Sequence, residues 1–235
     1  MAIDLTGGCR VSLLREGSPR EQGKVREWQH IGRASGAAAM SLRTLELSSG
    51  RAQLGGAACD EVLYVLDGTG TLQGQRLAPD TGFYIPPGAR ACVETADRMT
   101  FLSARCPDPE GATAVSLDGN LTVVRLEDCI SETTGDRWYR VLLDHKIGAS
   151  QVTQFVGAIP PGRAPDHFHE YEEVLCILSG RGRMWTSDKS TPIERGSCIY
   201  LPRRQMHCVE NTGDSELRLL GVFYPSGSPA VRYSR

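Results

Sequence analysis

The chain of 235 residues has no long apolar run and no cluster of lysines and arginines interleaved with aromatics. The first absence excludes a membrane-spanning helix, which needs roughly 20 consecutive apolar residues. The second makes nucleic acid and anionic membranes poor partners. Basic and acidic residues nearly cancel, 26 against 28, so a small-molecule ligand or another protein is the expected partner. The opening residues Met1-Ala2-Ile3-Asp4-Leu5 lack a charged segment followed by an apolar one, and the expectation is a soluble, cytoplasmic protein. Eight cysteines are present, yet none forms a Cys-x-x-Cys pair. With no export signal to imply an oxidising compartment, they read as reduced thiols, several of them packed as small hydrophobes in apolar runs.

What is present is a repeat. Asp60-Glu61-Val62-Leu63-Tyr64-Val65-Leu66-Asp67-Gly68 matches Glu172-Glu173-Val174-Leu175-Cys176-Ile177-Leu178-Ser179-Gly180, and Tyr84-Ile85-Pro86 through Glu94 matches Tyr200-Leu201-Pro202 through Glu210. Such self-similarity marks a duplicated domain. Each copy consists of short apolar, β-branched runs punctuated by Gly and Pro, which indicates antiparallel strands in a sandwich or barrel and an all-β fold. Helical periodicity is sustained nowhere. The stretch Cys106-Pro107-Asp108-Pro109-Glu110-Gly111 blocks both helix and central strand and divides the chain into domains 1–110 and 111–235. Ile130 to Asp136 reads as a further polar loop in the second copy.

Three of the five histidines fall in one pattern of the second copy: Gly162, His167, His169, Glu173 and Gly180, then Gly196, Pro202, His207 and Asn211. Alternate side chains of a strand share a face, so His167 and His169 point the same way. Glu173 follows across a bend, and His207 arrives from another strand. Three imidazoles and a carboxylate suit a divalent first-row metal and leave one or two positions open on an octahedral ion. The neighbouring Cys208 should point to the opposite face of its strand.

The two halves of this pattern resemble the two motifs of the cupin superfamily, and the duplication resembles a bicupin. Gly162, His167, His169, Glu173 and Gly180 meet the first motif. Gly196, Pro202, His207 and Asn211 meet the second, with Arg204 where the family has glycine. The resemblance implies two tandem jelly-roll-like barrels, often dimeric, and one divalent metal per chain, iron or manganese first and nickel, zinc or copper as alternatives. In the first copy the positions matching His167, His169 and His207 are Gly55, Ala57 and Ala91, leaving only Glu61. One carboxylate cannot hold a divalent ion against water, so the amino-terminal barrel is predicted to be metal-free. If Glu61 faces inward it needs a donor or a proton.

The resemblance implies a metal-dependent enzyme acting on a small oxygen-bearing metabolite, with a dioxygenase-type oxidoreductase as the leading expectation. Redox-neutral Lewis-acid chemistry on a small carboxylate or sugar derivative is the alternative, and a non-catalytic small-molecule-binding bicupin is the third. His30 and His145 lie outside the pattern and read as structural. Tyr171, Trp185 and Tyr224 either line a pocket or fill core. Of Arg163, Asp166, Arg183, Arg203 and Arg204, at least one is expected to reach the pocket.

Overall fold

The computed structural model describes residues 1–107, 120–149 and 151–234. Every described strand pairing is antiparallel, and the helical elements are 3-10 turns of three residues. None of the described helices is long and apolar enough to cross a membrane.

Each half forms a large sheet backed by a four-stranded one. In the second half, the strand Glu172–Ser179 lies between Ser197–Leu201 and Leu217–Tyr224, and the sheet continues through Thr153–Ile159 and Arg137–Leu143. Its partner sheet contains Gly162–Arg163, Cys208–Asn211, Arg181–Thr186 and Lys189–Glu194. The first half repeats this plan with Asp60–Asp67 at the corresponding place, between Thr81–Ile85 and Met99–Cys106.

The matching runs Val62–Leu66 and Val174–Leu178 are apolar without alternation because their strands are covered on both faces. Leu63 and Val65 pack inside the first barrel and Leu175 and Ile177 inside the second. Val62, Tyr64, Val174 and Cys176 turn the other way into one shared layer with Leu102, Leu220 and Val222. The two large sheets therefore pack against each other. Burying each such Val or Leu side chain contributes about 1.5–3 kcal/mol.

The expected junction between residues 110 and 111 lies outside the described residues, but a single cut there does not describe the sheets. Arg10–Leu13 pairs with Ser197–Leu201 of the second barrel, Arg10 opposite Tyr200. Thr122–Arg125 pairs with Thr81–Ile85 of the first, Thr122 opposite Tyr84. Tyr84 and Tyr200 are matching positions of the repeat, so each half lends its partner an edge strand in the same register, with Ile3–Asp4 added beyond Arg10–Leu13. The exchange covers a sheet edge that would otherwise expose unpaired backbone groups.

His30 is buried at 6% exposure, with its Nε2 2.7 Å from Thr44 Oγ1. Burial pushes its pKa down from 6.5 to about 4, so the folded chain holds it neutral. The unfolded chain takes up the proton first as pH falls below 6.5. His30 thus contributes stability that is present above that pH and lost between pH 6.5 and 4, up to about 3 kcal/mol. Urea unfolding at pH 7 and pH 4.5 is expected to show a smaller acid-induced loss in His30→Gln than in the wild type. An equal loss in both proteins would remove His30 as a cause.

Candidate metal centre

His167 and His169 lie between Gly162–Arg163 and Glu172–Ser179, and His207 immediately precedes Cys208–Asn211. The backbones of His167 and His207 bond each other reciprocally, at 3.0 and 2.9 Å. With the alternation of side chains along the chain, this brings the three imidazoles together, one nitrogen of each within 4.8 Å of the others. The ring centroids are 4.5 to 5.3 Å apart.

Each ring is oriented by a backbone carbonyl. Nδ1 of His167 is 3.0 Å from Pro165 O, that of His169 is 2.9 Å from Val231 O, and that of His207 is 2.8 Å from Gln205 O. A carbonyl only accepts, so all three Nδ1 atoms carry the proton and all three Nε2 atoms keep a free lone pair. Metal-binding histidines are commonly set up this way. Burial pushes all three pKa values down, that of His169 to about 4, which keeps the rings in the neutral, ligating form.

Glu173 completes the predicted quartet less closely. Its carboxyl lies 3.8 Å from His169 Nε2 but outside the tight group of three. The side chain is buried, no described residue gives it a hydrogen bond, and burial pushes its pKa up to about 8. Around it the wall is aromatic: Tyr171 stacks on His169 at 4.7 Å and on Phe223 at 4.1 Å, and Phe155 lies 5.7 Å from Phe223. A carboxyl without donors beside three aligned lone pairs is a set that lacks a positive centre. A divalent cation fits it.

The first barrel solves the same problem differently. Glu61 is buried and meets Arg43 at 2.7 Å, Arg105 at 3.2 Å and Ser103 at 2.6 Å. Burial alone would raise its pKa, yet Arg43, Arg105 and Ser103 together hold it below the usual carboxylate range. The donors required by an inward-facing Glu61 are thus present.

The remaining sequence candidates divide. Tyr171 lines the metal cavity. Trp185 does not: it donates to Glu210 at 2.7 Å and lies under Arg163. Tyr224 packs against the shared layer. Cys208 contacts Arg163 Nε at 3.3 Å, away from the imidazoles. None of the five charged candidates lines the cavity, contrary to expectation. Arg163 and Asp166 contact each other, Arg183 bonds Ser190, and Arg203 and Arg204 bond Glu170. Arg204, where the motif has glycine, adopts the left-handed conformation that glycine favours, φ 62°.

Two arginines that the sequence reading missed do line it, Arg137 and Arg232. Arg232 donates to Thr134 Oγ1 at 2.9 Å, and the charge of Arg232, after burial, lowers the pKa of Arg137. Arg232 reaches the cavity because Phe168 and Tyr233 pair through their backbones at 2.9 and 3.1 Å and stack their rings, which draws the segment after the last strand over His169. No sequence signal marks that pairing. Arg137 directly follows the stretch Ile130 to Asp136, which the sequence suggests is a loop but which contains the strand Glu132–Thr134, paired with Arg137–Leu143.

Comparison with known proteins identifies the domain that carries this site. The cupin domain family model matches residues 155–223, a span that contains all four predicted ligands. An uncharacterised protein of Methanocaldococcus jannaschii is 32% identical over 89 residues, 37% of this chain and 71% of that protein. The oxalate-binding protein of Thermotoga maritima is 36% identical over 66 residues, 27% of this chain and 54% of that protein, so the chain spans about half of that relative's length. The fold of oxalate decarboxylase from Bacillus subtilis superposes with a TM-score of 0.74 at 14% identity, over 92% of this chain and 77% of that one. The chain belongs to the cupin superfamily.

Elemental analysis is expected to find one divalent metal per chain, lost in His169→Ala; two per chain would overturn the metal-free reading of the first barrel. Glu61→Leu leaves buried Arg43 with Glu27 alone and takes from Arg105 the carboxylate it meets, and is expected to destabilise the fold by about 3 kcal/mol in urea unfolding. A negligible change would show that Glu61 is not ionised.

Proposed function

We propose that the second barrel binds a small carboxylate beside a metal ion held by His167, His169, His207 and Glu173, and transforms it by redox-neutral chemistry. The observation that carries this reading is the pair Arg137 and Arg232, opening on the same cavity as the three imidazoles. Two guanidinium groups on one cavity, with the charge of Arg232 acting on Arg137 after burial, call for an anion between them, and their planar forks match a carboxylate. The cavity holds only about 90 Å³, so the reacting part of the substrate is a few heavy atoms. The names of the oxalate-binding relative and of the decarboxylase support the same chemical class.

Manganese or iron is the expected ion, since a mixed imidazole and carboxylate set suits either, and the Bacillus subtilis decarboxylase has Mn(II) centres. When bound, the ion supplies a Lewis acid that polarises a substrate oxygen. The residues of the chain do the rest. Arg137 and Arg232 bind and orient the carboxylate. Phe155, Leu175, Val209 and Leu219 exclude water from the cavity and strengthen the charge interactions there. Tyr139, which lines the cavity and donates to Glu132 at 2.8 Å, is placed to pass a proton.

Arg232→Ala removes one charge-assisted contact and is expected to weaken carboxylate binding by roughly 10- to 100-fold, with metal content unchanged. Oxalate, malonate and small keto acids are suitable probes for titration and turnover. Unaltered affinity would sink the carboxylate reading. Turnover that stops under strict anaerobiosis would replace the redox-neutral chemistry with oxygen activation.

A further inference from the structure

The two barrels can be compared position by position. In the second, the register sets Phe155 opposite Gly221 and Phe223 opposite Glu173. In the first, the same register sets Arg43 opposite Ser103 and Arg105 opposite Glu61. Where one barrel has an aromatic wall around an unpaired carboxyl, the other has two arginines around a paired one. Where one has three imidazoles, the other has Gly55, Ala57 and Ala91.

The first barrel holds a cavity of about 480 Å³, against about 90 Å³ in the second. Lys24, Arg43, Arg51, Arg90 and Arg105 line it against two carboxylates, Glu27 and Glu61. Those carboxylates are already engaged, since Arg43 spans both at 2.8 and 2.7 Å. Arg51 is held by Glu94 outside the cavity. Arg90 has only a 3.4 Å contact with the neutral Gln53, and Lys24 bonds the Ser49 carbonyl. Two cations on the wall thus have no carboxylate partner among these contacts. Arg43, at 6% exposure, also keeps its Nε buried without a hydrogen-bond acceptor.

We propose that the metal-free first barrel is a second ligand site, which takes a small organic oxyanion on Arg43, Arg90 and Arg105. The shared chemistry is that of a carboxylate or phosphate group accepting from guanidinium forks. A cavity several times larger than that of the metal site admits a metabolite and not only a bare ion. The site is independent of the metal and of the substrate proposed for the second barrel.

The test uses the full chain carrying His169→Ala, so that anions cannot bind through the metal, with calorimetric titration of citrate and of inorganic phosphate. One saturable site per chain is expected for at least one probe, and the probe preferred separates the carboxylate from the phosphate source. Adding Arg90→Ala or Arg105→Leu is expected to weaken it by roughly tenfold or more, whereas adding Arg232→Ala leaves it unchanged. Arg90 is exposed, so its variant reads binding even if Arg105→Leu fails to fold. No saturable binding of either probe, binding that survives Arg90→Ala, or binding lost with Arg232→Ala would each overturn the proposal. An unaffected site in the first barrel together with failed carboxylate binding in the second would separate this inference from the function proposed above.

Discussion

A carboxylate carried into the interior of a barrel must meet positive charge or give up its own. Both halves of this chain carry one at the same place, Glu61 and Glu173, each on the central strand of its large sheet. Much of the difference between the halves follows from how that demand is met. Around Glu61 the positive charge is built into the chain, and the site is closed electrostatically by Arg43 and Arg105. Around Glu173 no described residue supplies it with an ion pair from lysine or arginine, and the three neighbouring imidazoles are held neutral with their lone pairs free. One carboxyl is thus neutralised within the chain, and the other stands in a set that could hold a cation.

That arrangement rests on packing that the two barrels share. The central strands are covered on both faces, by their own barrel and by the layer shared with the other, and each half borrows an edge strand from its partner. Glu173 and His169 therefore sit on a scaffold whose far side is the first barrel. A barrel without metal still has a mechanical role, since removing it would uncover Val174, Cys176 and Val222.

The ligand histidines were legible because spacing alone fixes which side chains share a face and which turn intervenes. The duplication and the strand content were legible for a related reason, as both are local patterns. The exchange of edge strands was not. Arg10–Leu13 and Thr122–Arg125 carry no mark of which sheet they join, because edge pairing is decided by which sheet edge is open. The arginines at the cavity escaped for the same cause: Arg163, Arg203 and Arg204 are near the motif in sequence but turn outward to Asp166 and Glu170. Arg232 is far from the motif and is folded back by a backbone pairing at Tyr233. The motif spacing predicted which three imidazoles come together, whereas nearness to the motif in sequence failed for the arginines, which are placed by tertiary pairings.

The first barrel is not simply a metal site with three ligands missing. Gly55 has φ +84°, and a Cβ there would fall 2.6 Å from the carbonyl oxygen of Ala89 and 2.7 Å from Ile85, so the backbone itself no longer accepts a histidine. Arg43 and Arg105 occupy the register positions of Phe155 and Phe223 and already neutralise the carboxyl that a metal would need. A divalent cation would have to displace two guanidinium groups, Arg43 at one oxygen of the Glu61 carboxylate and Arg105 at the other. Side chains, backbone and counter-charge differ between the two barrels together and in mutually consistent directions. Without its arginines Glu61 would meet the same cost of burial as Glu173; Arg43 and Arg105 remove that cost and, in the same step, leave the cavity wall of the first barrel with more cations than carboxylates.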